Sequence, residues 1–193
     1  MVATLKKLSN KLKNLKSIYV LIPAIIILYY NNKLIYEKVV SKVNSPILDS
    51  FLIGYSREEA INTLEKLGDD GREIYKTLYS SYFDITFPIV LATTLISLLS
   101  LNYPLYKTST LGIFNVLPII YMIFDELENY CHFQILKYYS PLSTSIENYI
   151  FFGSYFCLFK YIFFFTSLVL LLIGIISNII LFIFFNIKNK KNN

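Results

Sequence analysis

The strongest constraint on the fold is an uncharged stretch near the C-terminus, from Tyr161 to Ile187, which contains no Asp, Glu, Lys or Arg. A membrane-spanning helix needs roughly 20 mostly apolar residues to cross a hydrocarbon core about 30 Å thick, and this stretch is longer than that. The whole chain agrees, since 55% of its residues are hydrophobic, only 16% are charged and the mean hydropathy is +0.52. Soluble domains carry about 25% charged residues. The sequence therefore predicts an integral membrane protein.

Three more stretches approach the length of a span: Ser17 to Tyr36, Asp84 to Leu101, and Leu111 to Leu127. We therefore predict an all-α fold in which residues 1–193 form one membrane domain, a bundle of four transmembrane helices. One helix from Tyr149 to Phe185 would be too long to span once, so we expect a break or a projecting segment near Gly153 and Ser154.

The segment 55–83 between the first and second spans is predicted to be an amphipathic, helical and extramembrane loop. Ser56 and Glu59 have the spacing of a capping box, in which each side chain binds the backbone N–H of the other residue. Ala60, Ile61, Leu64 and Leu67 then fall on one helical face, and Gly68 suits a helix C-terminus.

Lysines lie at both ends of the chain. They are Lys6, Lys7, Lys11, Lys13 and Lys16 before the first span, and Lys188, Lys190 and Lys191 after the last. Because positive charge favours the cytosolic side, four spans with these flanks predict that both termini are cytosolic. Basic flanks of apolar spans are topology signals, so the net charge of +5 does not indicate a nucleic-acid partner.

Unusual charge lies at the end of the third predicted span. Asp125, Glu128 and Asn129 follow the spacing i, i+3, i+4, with His132 at i+7, so they share one helix face. Four spans place Asp84, this face and Lys160 near the same, non-cytosolic boundary. An ionised side chain inside a bilayer costs about 2.5–3.5 kcal/mol or more unless it pairs. We predict that Lys160 pairs with Asp125 or Glu128, with Asp84 close by.

The predicted cluster of Asp84, Asp125, Glu128, Asn129 and Lys160 has two interpretations. It forms a pocket for a headgroup, a small amphiphile, a cation or a proton, or it is hydrated at the interface and only fixes helix register. A surplus of carboxylates over one lysine is able to hold a proton, because neighbouring like charges raise one pKa.

Other chemistry has less support in the sequence. Asp125, Glu128 and His132 could share a metal ion, but His132 is the only histidine, so we predict no metal and no cofactor. The sequence allows a disulfide between Cys131 and Cys157 in an oxidising compartment, but it does not decide whether the bond forms. There is no G-x-S-x-G, P-loop or H-E-x-x-H motif, so nothing suggests a hydrolase or a nucleotide enzyme.

A recurring set of residues lies between Gly54 and Ile175: Gly54 and Tyr55; Leu67, Gly68, Gly71 and Arg72; Asp84, Phe87 and Pro88; Leu117 and Pro118; Asp125, Glu128 and Asn129; and Lys160. With these residues the region resembles a family of small, uncharacterised four-helix membrane proteins. Tyr161 departs from the pattern, which usually has tryptophan there. The resemblance implies a four-helix membrane fold and features the polar side chains named above, but it implies no activity.

We therefore predict a non-catalytic membrane protein whose partners are membrane lipids, and which binds a lipid, a small amphiphile or a partner protein at the polar cluster. Two alternatives stay open. One is a small enzyme of sterol-isomerase-like type, in which Asp125 or Glu128 shuttles a proton. The other is a structural or assembly subunit of a membrane complex.

Overall fold

A computed structural model of the chain describes residues 2–43, 45–80, 83–102, 110–140 and 145–191. Its α-helices in these ranges are α1 (Val2–Leu12), α2 (Ile18–Ile35), α3 (Arg57–Ser80), α4 (Phe83–Asn102), α5 (Leu117–Tyr138) and α6 (Glu147–Lys191). A π-helical turn, Tyr36–Val40, continues α2, and short 3-10 turns lie at Lys13–Leu15, Leu48–Ser50 and Thr110–Val116. The described ranges contain no β-strand. The all-α prediction is confirmed.

Within the described residues, three helical segments are long and apolar enough to cross a membrane: Ile18–Val40, Asp84–Asn102 and Glu147–Phe184. They correspond to three of the four predicted spans. The remaining predicted span, Leu111 to Leu127, is divided between a 3-10 turn and α5, because Pro118 lies in the first turn of α5 rather than inside a longer helix. Helix α5 is not one of these three segments, because its acidic residues make it less apolar.

Helix α6 runs unbroken through 45 residues, which is about 68 Å at 1.5 Å per residue. Helix α6 therefore has no break near Gly153 and Ser154, and of the two predicted alternatives the projecting segment stays a prediction. Glycine inside a helix is unfavourable by about 1 kcal/mol relative to alanine. Here Gly153 stays helical because its missing side chain makes room for a neighbouring loop, as described below.

The segment after the π-helical turn folds into a small helical layer. Its start has the predicted capping box: the Ser56 backbone N–H donates to Glu59 Oε2 at 2.7 Å, and the Glu59 N–H donates to Ser56 Oγ at 3.2 Å. Gly68 has φ +65° and kinks α3, a conformation that glycine adopts without a Cβ penalty. Two residues of the predicted segment 55–83, Ser81 and Tyr82, lie outside the described residues.

The hydrophobic core of this layer lies between α3 and the ends of α5 and α6. Ala60, Leu64 and Leu67 of α3 are buried, as their spacing predicts, together with Ile135 of α5 and Ile150 of α6. The C-terminal half of α5 and the N-terminal end of α6 thus supply the surface on which α3 packs. Helix α5 packs mainly against α6, and α4 contacts α2, α5 and α6.

Candidate functional site

Lys160 forms the centre of the polar cluster. Its Nζ lies 3.3 Å from Asp125 Oδ1 and also pairs with Glu128 Oε2. The side chain of Glu128 is completely buried, and those of Lys160 and Asp125 are each only 8% exposed. The predicted ion pair is confirmed, and Lys160 contacts both candidate carboxylates rather than one of them. Two neighbouring acids on α5 thus share a single amine from α6.

Asn129 and Asp84 complete the predicted set. The Asn129 side-chain amide donates to Asp125 Oδ2 at 3.2 Å and to the backbone oxygen of Asp84 at 3.5 Å. Asp84 Oδ2 is buried, and no hydrogen bond to it is found within the described ranges. The structure therefore brings all five predicted residues together, and it leaves one carboxylate without a neutralising partner of its own.

His132 extends the cluster towards the helical layer. Its Nε2 lies 2.8 Å from Tyr55 Oη, and its Nδ1 lies 3.0 Å from Tyr79 Oη and 3.4 Å from Tyr75 Oη. The phenols of Tyr75 and Tyr79 both donate to Asp49 Oδ2. The imidazole has no exposed surface and lies between Asp49 on one side and Glu128 on the other. We call Tyr55, Tyr75, Tyr79, His132 and Asp49 the tyrosine cage.

Burial and charge within the tyrosine cage determine which groups donate hydrogen bonds and which accept them. Burial raises the pKa of Tyr75 and Tyr79 well above the ordinary phenol value, and the nearby charge of Asp49 adds to this effect. The phenols therefore remain hydrogen-bond donors. Burial also opposes ionisation of Asp49, but its interactions with His132, Lys160 and Tyr75 outweigh burial and lower its pKa. Asp49 is therefore an ionised acceptor.

Two glycines let the loop carrying Tyr55 reach α6. Gly54 has φ +83°, and a Cβ there would lie 2.7 Å from Ser154 Oγ. That same hydroxyl accepts a hydrogen bond of 2.8 Å from the Tyr55 backbone N–H. A Cβ on Gly153 would lie 2.6 Å from Tyr55 Oη and 3.2 Å from Cys131 Cβ. Gly153 therefore provides the space into which the Tyr55 hydroxyl projects towards His132.

A cavity of about 430 Å³ opens beside the ion pair; we call it the central cavity. Its polar lining residues include Asp49, Asp84, Asp125 and Lys160, with Asn32 and Ser50. Its apolar and aromatic lining residues include Phe87, Leu91, Tyr121, Tyr161 and Phe164. The lining of the cavity thus combines charged groups with aromatic rings and aliphatic side chains.

Cys131 and Cys157 are both buried and free, so the structure contains no disulfide between them. The Cys157 thiol contacts the backbone oxygen of Phe51 at 3.1 Å. Among the described residues, no group of three or more His, Cys, Asp or Glu side chains is arranged to hold a metal ion.

Sequence reasoning missed Asp49 and the role of the three tyrosines. Tyr75 and Tyr79 have the spacing i, i+4, which places them on one face of α3, and that pattern was a usable signal. Asp49 gives no such signal, because it lies in a short 3-10 turn and reaches the site only through the path of the folded chain. His132 was placed on the correct face, but the spacing did not reveal its partners.

Comparisons with protein-family models, curated proteins and solved structures found no match to this chain. The resemblance to the four-helix family therefore stays a prediction. The functional argument depends on the geometry of the site alone.

Proposed function

We propose that this chain is a four-span membrane protein that binds a lipid or another small amphiphile in the central cavity. The single observation that carries the proposal is the mixed lining of that cavity, which combines the charged groups of Asp84, Asp125 and Lys160 with apolar and aromatic side chains. Ligand pockets typically have volumes of about 300–1,000 Å³ and combine an apolar lining with a few polar groups that fix orientation. The cavity of about 430 Å³ fits that description.

The proposal includes α5 as the fourth span, with both termini cytosolic. With 22 residues, α5 is about 33 Å long, which is enough for one crossing. Its acids lower its average hydropathy, but Asp125 and Glu128 face the bundle and pair with Lys160. They therefore need not contact lipid. A reporter of cytosolic location fused to each terminus in turn tests this topology, and signals from opposite sides would contradict it.

Filling the central cavity tests ligand binding. Leu91→Trp adds bulk to its lining, whereas Leu101→Trp adds the same bulk to an exposed position of the same helix. We expect protein purified in mild detergent to carry a bound amphiphile in native mass spectrometry and to be stabilised by some members of a lipid panel. Leu91→Trp should lose both properties, and Leu101→Trp should keep them. Absence of bound mass and of any lipid-dependent stabilisation in the unmodified protein would refute the proposal.

A second candidate is a membrane isomerase, and it is favoured by the position of Asp84 and Asp125 in the lining of a cavity that also has apolar and aromatic side chains. A carboxyl group in such a place is suited to general acid–base catalysis. Proton shuttling on a lipid in D₂O would place solvent deuterium in the product. Incubating the protein with a membrane lipid extract in D₂O therefore tests this function without knowledge of the substrate. Deuterium incorporation that Asp125→Asn abolishes would support it, and equal incorporation with and without protein would exclude it.

A further inference from the structure

The charges around the central cavity do not balance. Four carboxylates lie on its wall or directly behind it: Asp49, Asp84, Asp125 and Glu128. Of the described residues with basic side chains, Lys160 and His132 are the ones that contact this group. Even with His132 protonated, two negative charges remain if every carboxyl group is ionised. A buried charge without a partner is costly, and it is relieved by a proton or by a bound cation.

Asp84 is the carboxylate left without a counter-charge. Lys160 is already shared by Asp125 and Glu128, and Asp49 accepts hydrogen bonds from two phenols. Asp84 lines the cavity, and its buried Oδ2 has no hydrogen-bond partner in the part of the chain that the structure describes. Its position is that of an anionic group facing a ligand.

The aromatic lining residues favour an organic cation over a metal ion. Rings from Phe87, Tyr121, Tyr161 and Phe164 line the cavity, and the faces of such rings attract ammonium groups through cation–π interactions. The described residues also offer no arrangement of ligands for a metal ion. Carboxylate and aromatic groups around one apolar space are complementary to an alkylammonium group with an apolar chain.

We infer that the ligand of the central cavity is a cationic amphiphile, an ammonium group with an apolar tail, whose charge is held at Asp84. The inference rests on the proposed amphiphile-binding function and specifies its ligand class. Asp49 also lines the cavity and contributes a second negative charge. Hydrogen bonds from the phenols of Tyr75 and Tyr79 hold its carboxylate in place.

Three probes of similar size test the inference in neutral maltoside micelles: octyltrimethylammonium, the uncharged N,N-dimethyloctanamide, and octanesulfonate. We expect the unmodified protein to bind the cation most tightly in calorimetric titrations and to exclude the anion. Asp84→Asn should weaken binding of the cation by roughly tenfold or more, the effect of losing one charge-assisted contact, and should leave binding of the amide unchanged. Asp70→Asn removes an exposed acid of α3 and is the control, with no effect.

Asp84→Asn has a second readout that does not need a ligand. If Asp84 lacks a counter-charge in the empty cavity, its neutralisation should leave the melting temperature of the ligand-free protein unchanged or higher. A lower melting temperature would show that Asp84 already has a stabilising partner and would overturn the inference. Equal affinity for the cation and the amide would also overturn it while leaving amphiphile binding intact. Failure of all three probes to bind would overturn both proposals.

Discussion

Replacing Lys160 provides the most informative test of the polar cluster. Lys160→Met keeps an apolar stem of similar length and removes the amine that Asp125 and Glu128 share. Because the side chain of Glu128 is fully buried and that of Asp125 is only 8% exposed, the two acids would lose their partner with little compensating hydration. Breaking one side of a buried ion pair costs about 3–5 kcal/mol. For a chain of 193 residues, that corresponds to a fall in melting temperature of roughly 6–20 °C.

The chain contains a convenient reporter of this unfolding. Cys131 and Cys157 are its only cysteines, and both are buried in the folded protein. A thiol-reactive coumarin maleimide should become fluorescent as heating exposes them. Tryptophan fluorescence is not an option, because the chain has no tryptophan.

A matched control is available on α2. Lys33 lies 3.8 Å from Glu37, and both side chains are more than half exposed. Such exposed pairs contribute about 0–1 kcal/mol, so Lys33→Met should shift the melting temperature little. The double variant Lys160→Met with Glu128→Gln should recover part of the loss, because the two positions are coupled. A melting curve for Lys160→Met as close to the unmodified protein as that of Lys33→Met would refute the buried ion pair.

Three further predictions concern the helical layer. Gly153→Ala places a Cβ 2.6 Å from Tyr55 Oη and should lower the free energy of unfolding by about 1–3 kcal/mol; an unchanged value in denaturant titrations would contradict that close contact. Because the folded protein holds the pKa of Asp49 below its ordinary value, its stabilising contribution is present above about pH 4 and is lost as the pH falls through the folded pKa. Between about pH 4 and pH 2 the unmodified protein should therefore lose more stability than Asp49→Asn, and parallel pH profiles would argue against the cage. Ser56→Ala should cost about 1 kcal/mol by removing the helix cap, seen as faster hydrogen exchange at the start of α3.

Several parts of the site could be predicted from the sequence because they depend on local spacing. The face that carries Asp125, Glu128 and Asn129 follows from the helical repeat alone. The pairing with Lys160 follows from the cost of an isolated charge in an apolar region. The capping box of Ser56 is likewise a local pattern, and the structure confirms each of these.

Other parts could not be predicted, because they depend on contacts between segments distant in the chain. The sequence predicted a break or a projecting segment near Gly153 and Ser154, whereas α6 is one continuous helix in which Gly153 leaves space for the Tyr55 side chain. Pro118 lies in the first turn of α5, so the predicted span Leu111 to Leu127 is not one helix. Average hydropathy also counts every acidic residue of α5 in the same way, so it does not distinguish the acids that face a partner from those that do not.

By itself the sequence determined the helical class, the apolar segments and the helix face on which the acids lie, since these follow from composition and from a repeat of 3.6 residues. Only the tertiary structure decided that Asp49 joins the site, that His132 is enclosed by three tyrosines, and that a cavity opens beside Asp84. These features arise from the path of an irregular loop and from the fit of one helix against another. Neither is encoded in the order of neighbouring residues.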